Sequence, residues 1–208
     1  MTLSSLHRRL LAFALGNIIL AVGICLNAKG NLGTSAIMLI PYGLTDMTGL
    51  SIGVTSFIIY IIMVLIQLVI LRRSFPVSQW LQILSSFISS FLLQIVDGMI
   101  QIPDSLFGKI LYLLAGIALT AVGASMMIAS ALVPTAPDGL ANAIGQVLKK
   151  DFGVGKNVLD TICVLSALLL GLLTNQGLLG IGIGTLVAVV LTGQIISLVH
   201  PVSLKMVA

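Results

Sequence analysis

Lys156 and Asp160 stand four residues apart inside an otherwise apolar run, 154 to 174. On a helix that spacing puts both on one face, where ammonium and carboxylate can pair. An ionisable group at the centre of a bilayer costs about 2.5 to 3.5 kcal/mol on insertion scales, so such residues default to functional roles. Two readings follow: a gate or coupling pair on a solute path, or an ion pair at interface depth with Lys156 snorkelling. The chain has no Glu, and its other carboxylates are Asp46, Asp97, Asp104, Asp138 and Asp151. Asp97, one turn after Gln94, reads as an interfacial cap near a span end. Asp138 follows Pro134-Thr135-Ala136-Pro137 and reads as a helix-starting residue or as a ligand contact. Gln94 and Gln194 form a candidate symmetric polar pair, since amides in hydrocarbon seek each other or a ligand.

No nucleophile triad or metal-ligand cluster is present, and no catalytic residue, metal or cofactor is expected. His7 precedes two arginines and His200 adjoins Pro201, which is expected to end the last span. GIGIG (180 to 184) lacks the strand and parallel-sheet context of a dinucleotide fingerprint. Cys25 and Cys163 read as small apolar residues inside spans.

These few polar residues are carried on long apolar elements. Hydrophobic residues make up 58% of the 208 and charged ones 8%, with a mean hydropathy of +1.20, which excludes a soluble enzyme and implies an integral membrane protein. About 20 apolar residues span the hydrocarbon core, and six stretches qualify: 10 to 28, 52 to 71, 80 to 100, 110 to 132, 154 to 174 and 178 to 199. The net charge of +4 does not point to nucleic acid, because the basic residues lie at span ends, as orientation signals do.

At an offset of 100 the two halves of the chain agree: GNIILAVG (16 to 23) with GIALTAVG (116 to 123), Gly53-Val54 with Gly153-Val154, Val64-Leu65 with Val164-Leu165, Gln94-Ile95 with Gln194-Ile195. Repeat one covers about 8 to 100 and repeat two about 108 to 200, within one polytopic domain, 1 to 208. Three spans per unit force the second unit to enter the membrane from the opposite side. With the N-terminus cytoplasmic, inside segments carry Arg8, Arg9, Arg72, Arg73, Lys149, Lys150, Lys156 and Lys205, and outside segments only Lys29 and Lys109. The fold expected is therefore all-α, six transmembrane helices as two inverted-topology three-helix repeats, each with a short interrupting helix between its first two spans. Both termini are expected on the cytoplasmic side of the bacterial cytoplasmic membrane. Gly16, Gly23, Gly116 and Gly123 serve close helix packing or hinge bending.

The interrupting segments, 31 to 53 and 131 to 155, each open on helix-starting residues and run to a glycine-containing stop. They are re-entrant, or they lie along the interface. If re-entrant, their N-termini meet near mid-bilayer and suit an anionic or amphoteric solute. Gly33, Thr34, Ser35, Thr135, Asp138 and Gly139 are then the candidate substrate-binding residues, and Lys156 and Asp160 the gate or coupling pair.

LGTS (32 to 35), GLTDMTGLSIG (43 to 53), PDGL (137 to 140) and GIGIGTLVAVVLTGQ (180 to 194) resemble the pattern of the YczE/YyaS/YitT group of bacterial six-span membrane proteins, its YczE-like branch above all. The resemblance covers nearly the whole chain. That branch usually carries Pro-Trp-Asp where Ala36-Ile37-Met38 stand, Pro-Arg-Asp where Ala136-Pro137-Asp138 stand, and Arg and Glu where Lys156 and Asp160 stand. It implies six-span architecture and a transport role without naming a substrate. The function expected is passage of a small solute by alternating access. The alternative is a non-transporting membrane partner, such as a substrate-capture subunit of a larger importer or an accessory protein. Expected partners are the lipid bilayer, an unknown small solute, and a second copy or a partner membrane subunit; nucleic acid is not among them.

Overall fold

The computed structural model describes residues 3–150, 152–175 and 177–207, with side chains from residue 6 onward except at 73. Asp151, one of the carboxylates placed in connecting segments, lies outside the described residues. Among those described there are eight α-helices: α1 (Leu3–Lys29), α2 (Leu39–Thr48), α3 (Ile52–Leu71), α4 (Leu81–Met99), α5 (Leu106–Ser130), α6 (Ala136–Leu148), α7 (Phe152–Thr174) and α8 (Ile183–Val207). Six of them, α4 together with the 3₁₀ turn Val77–Trp80 before it, are long and apolar enough to cross a membrane. The protein is thus all-helical with six candidate spans. Large apolar side chains such as Val69, Phe91, Leu172 and Ile183 point outward, a surface that water would penalise and hydrocarbon accepts.

The helix ends have local causes. Ser105 accepts from the Gly108 amide at the start of α5, and Thr135 accepts from the Asp138 amide at the start of α6. Gly49, at φ 72°, stops α2 with its amide on the Thr45 carbonyl. The expected break at Pro201 does not occur, because α8 runs through it to Val207. A proline removes one backbone donor, and membrane helices accommodate that loss. The sixth span also starts later than the hydropathy suggests. Residues 177 to 182 are irregular, with Gly177, Leu179 and Gly180 all at positive φ, and this bend is where residues 32 to 34 dock.

Two contacts position everything else. The central one is α1 against α5. A Cβ on Gly16 would sit 2.9 Å from the Gly123 carbonyl oxygen, and one on Gly23 an equal 2.9 Å from that of Gly116. The pairs 16:123 and 23:116 run in opposite directions, so the helices are antiparallel and touch backbone to backbone, which only glycine permits. Packing, rather than hinge bending, is what these four glycines are seen to do. The second contact is crosswise: α2 lies on α7 as well as on α3, and α6 on α3 as well as on α7. Both short helices therefore enter one core, where Ala36 and Met38 meet Ala136, Leu140 and Tyr60.

α3 and α4 pack along each other, whereas α7 and α8 scarcely touch.

Candidate functional site

The chain from 36 to 48 forms a 3₁₀ turn (Ala36–Met38) running into α2, and the chain from 136 to 148 forms α6. Their starts, Ser35 to Met38 and Thr135 to Asp138, line one cavity of about 100 Å³. Lys156 and Asp160 enter it from α7, Tyr60 from α3, and Ser85, Ser86 and Ser89 from α4. The two short helices thus bring their N-terminal ends to a shared space.

Lys156 Nζ lies 2.6 Å and 2.9 Å from the two oxygens of Asp160. Asp160 is 6% exposed, so this is a charge-assisted fork in a poorly solvated place rather than a surface pair. Thr135 Oγ1 donates to Asp138 Oδ2 at 2.7 Å and accepts from the Asp138 amide. Burial holds the Asp138 carboxyl above the ordinary carboxylate range. The Thr135 hydroxyl and then Lys156 pull it back, and Asp160 pushes it further up. The start of α6 is therefore filled by its own hydroxyl and carboxyl, and an anion meets a carboxylate there instead of free N–H groups.

Of the residues expected at the site, Ser35, Thr135, Asp138, Lys156 and Asp160 line the cavity. Gly33, Thr34 and Gly139 are not among its lining residues. Gly33, at φ 119°, presses on the backbone of Gly182 and Thr185, and Thr34 donates its amide to the Gly180 carbonyl at 3.2 Å. These two hold the approach to α2 against the irregular segment before α8. A Cβ on Gly139 would lie 2.6 Å from Gln67 Oε1 and 2.8 Å from Gln82 Nε2. That glycine makes room for a clamp: Gln67 and Gln82 exchange hydrogen bonds, and Gln67 also donates to the Ala136 carbonyl at 3.1 Å.

Gln94 and Gln194 do not pair. Gln94 Oε1 accepts the Gly53 amide at 2.9 Å, capping the first turn of α3 from outside, while Gln194 is exposed on α8. The helices that carry them, α4 and α8, do not pack on each other, and the parting of α7 and α8 leaves Gln194 without the partner turn that Gln94 has at Gly53. Asp97, expected to cap a span end, joins three elements instead. It bonds Lys29 of α1 at 3.1 Å and accepts from the Tyr42 hydroxyl of α2 at 3.0 Å.

Sequence reasoning passed over Tyr60, Asn27, Thr120 and the α4 serines as cavity residues. The offset of 100 carried a signal for one of them, since it pairs Tyr60 with Asp160. The serines read as a small-residue packing face, yet Ser85, Ser86 and Ser89 hydroxyls have no hydrogen-bond partner among the described residues.

A second cavity, about 310 Å³, lies beyond the α6 start and is lined by Met127, Ala131, Pro134, Asn142 and Phe152 together with Thr135 and Asp138. It sits toward the chain termini, where Ala12, Ala129 and Val207 cluster. At the corresponding place in the first half the chain is bonded shut, with the Gly184 amide on the Leu32 carbonyl at 2.7 Å.

Residues 7–201 match the model of a family of unknown function, DUF6198. The chain belongs to that family. It is also similar to the uncharacterized protein YyaS of Bacillus subtilis (strain 168), at 25% identity over 194 residues and 91% of each chain, in keeping with the resemblance to the YczE/YyaS/YitT group read from its motifs. No solved structure matches it.

Proposed function

We propose that the protein carries a small polar solute across the bacterial cytoplasmic membrane by alternating access, its two halves inverted about an axis in the membrane plane and both termini cytoplasmic. One observation carries the reading: positions 100 apart face the same cavity, among them Leu20 and Thr120, Ser35 and Thr135, Met38 and Asp138, Tyr60 and Asp160. Such pairs are what a two-fold axis through the cavity would produce. The α1–α5 contact supports the same axis, because Gly16 meets the counterpart of Gly23 and Gly23 the counterpart of Gly16. That exchange is the pattern of an isologous contact, and between antiparallel helices such an axis would cross them at right angles.

Alternating access needs two packings of near-equal energy, one open to each side. The cavity at the termini side, with Leu32 to Thr34 bonded shut opposite, supports an arrangement open toward the cytoplasm. The gap between α7 and α8, against the packed α3 and α4, is the asymmetry that a mirrored state would reverse. Purified protein in liposomes provides the test: flux of a solute down an imposed gradient, lost in Asp160→Asn with the fold retained. Wild-type flux in that variant removes Asp160 from the mechanism. The α7–α8 gap, with Gln194 exposed, also suits the competing reading of a subunit that docks a membrane partner. Absence of flux from the purified chain, restored by a co-purifying subunit, decides for that reading.

A further inference from the structure

The charged side chains lining the central cavity are Asp138, Lys156 and Asp160. Lys156 is engaged with both oxygens of Asp160, so the wall holds one carboxyl group more than it has cations, and a positively charged guest is what would keep Asp138 ionised against its burial. An anionic guest would add to that excess in a place where water screens little, whereas a single positive charge balances it.

The uncharged polar groups have the matching deficit. Asn27 is 2% exposed and lines the cavity, and its carboxamide oxygen has no hydrogen-bond partner among the described residues. That oxygen can only accept, so it requires a donor. Ser85 and Ser86, 3% and 2% exposed, also face the cavity with unpartnered hydroxyls. Gln82, one turn before them on α4, touches Gly139, which sets the two serines on the wall beside the α6 start. Unsatisfied buried polar groups are uncommon in folded proteins and call for an explanation. The remaining wall is mostly apolar, with Ile24, Met38, Ala124 and Val189, and its other polar groups are hydroxyls such as those of Thr120 and Thr192.

We infer that the cavity binds a small primary ammonium solute, its three donors directed to Asp138, the Asn27 oxygen and the Ser86 hydroxyl, and its short alkyl part against the apolar wall. The inference deepens the transport reading above and rests on it. An apolar cavity of about 150 Å³ holds a benzene molecule, so about 100 Å³ suits a guest of three or four heavy atoms. Ethylammonium has that size.

The test compares ethylammonium chloride, sodium acetate and ethanol by calorimetric titration of the purified wild-type protein at constant ionic strength, then applies each as a gradient across protein-containing liposomes. Saturable binding of ethylammonium alone is expected. Each hydrogen bond to a charged group contributes a factor of about ten or more, so Ser86→Ala weakens binding about tenfold and Asp138→Asn by about a hundredfold. Binding of acetate in place of ethylammonium, equal binding of ethanol, undiminished affinity in Asp138→Asn, or binding of none of the three overturns the inference. The wild-type comparison decides even if a variant fails to fold. The two claims also fail separately. Ethylammonium binding without flux keeps the ligand class and removes transport, whereas acetate flux without ammonium binding keeps transport and removes the ligand class.

Discussion

Replacing Lys156 with Met removes the only cation that lines the central cavity among the described residues and leaves Asp160, 6% exposed, without its partner. Two short contacts, 2.6 Å and 2.9 Å, disappear together. Breaking a buried pair by deleting one member costs about 3–5 kcal/mol, while replacing both members with apolar residues is often close to neutral. Lys156→Met is therefore expected to lower Tm by roughly 10 °C, taking about 2–4 °C per kcal/mol for a chain of this length. Lys156→Met combined with Asp160→Leu is expected to recover most of that loss. Tryptophan fluorescence during heating, with Trp80 as the one reporter, reads both values. Flux separates structure from function: the double variant should be folded and inactive. A Lys156→Met chain as stable as wild type, or a double variant with full flux, refutes this reasoning.

Asp138→Asn should raise Tm at pH 7.5. Its carboxyl is held above the ordinary range by burial, so the wild-type fold is favoured by protonation and loses stability as pH rises from the unfolded value, about 3.9, through the folded one. Asn carries no such cost, and the advantage should close toward acid pH; a lower Tm for Asn at pH 7.5 contradicts it. Gly16→Ala and Gly116→Ala should each destabilise by about 1–3 kcal/mol through overpacking, since their Cβ atoms would approach facing backbone at 2.9 Å and 2.6 Å. Gly193→Ala, with nothing within 4 Å, should be stabilising by up to about 1 kcal/mol; equal effects at all three sites in thermal unfolding would remove the close-packing argument. Gln67→Leu should cost about 1–3 kcal/mol by stranding buried Gln82, and adding Gln82→Leu should return part of it, measured in the same melts.

The six spans were legible because apolar runs of membrane length have few other uses, and the close α1–α5 contact was legible because Gly16, Gly23, Gly116 and Gly123 have no side chain to hold two helices apart. Lys156 and Asp160 announced themselves by the cost of charge at depth. Gly33, Thr34 and Gly139 misled because a glycine or hydroxyl beside a helix start suits either a ligand or a close backbone neighbour, and only the positions of Thr185, Gly180 and Gln67 distinguish the two. Ser85 and Ser86 were missed for the converse reason, since small residues on a span ordinarily mark helix contact. Nothing in the sequence distinguishes Gln94, which caps α3, from Gln194, which has no such role in this structure. That difference belongs to the conformation.

It also supplies the most direct test of alternating access. In a chain lacking Cys25 and Cys163, cysteines replacing Gly53 and Gln94 stand on helices already in contact, with Gln94 Cβ 2.8 Å from a Cβ built on Gly53, so that a shift of about 1 Å brings them to the spacing of a disulfide. Cysteines replacing Gly153 and Gln194 lie on helices that are apart here. If the halves exchange conformations, oxidant links the second pair as well as the first and stops flux when it does. A second pair that never links, under conditions that link the first, contradicts the exchange.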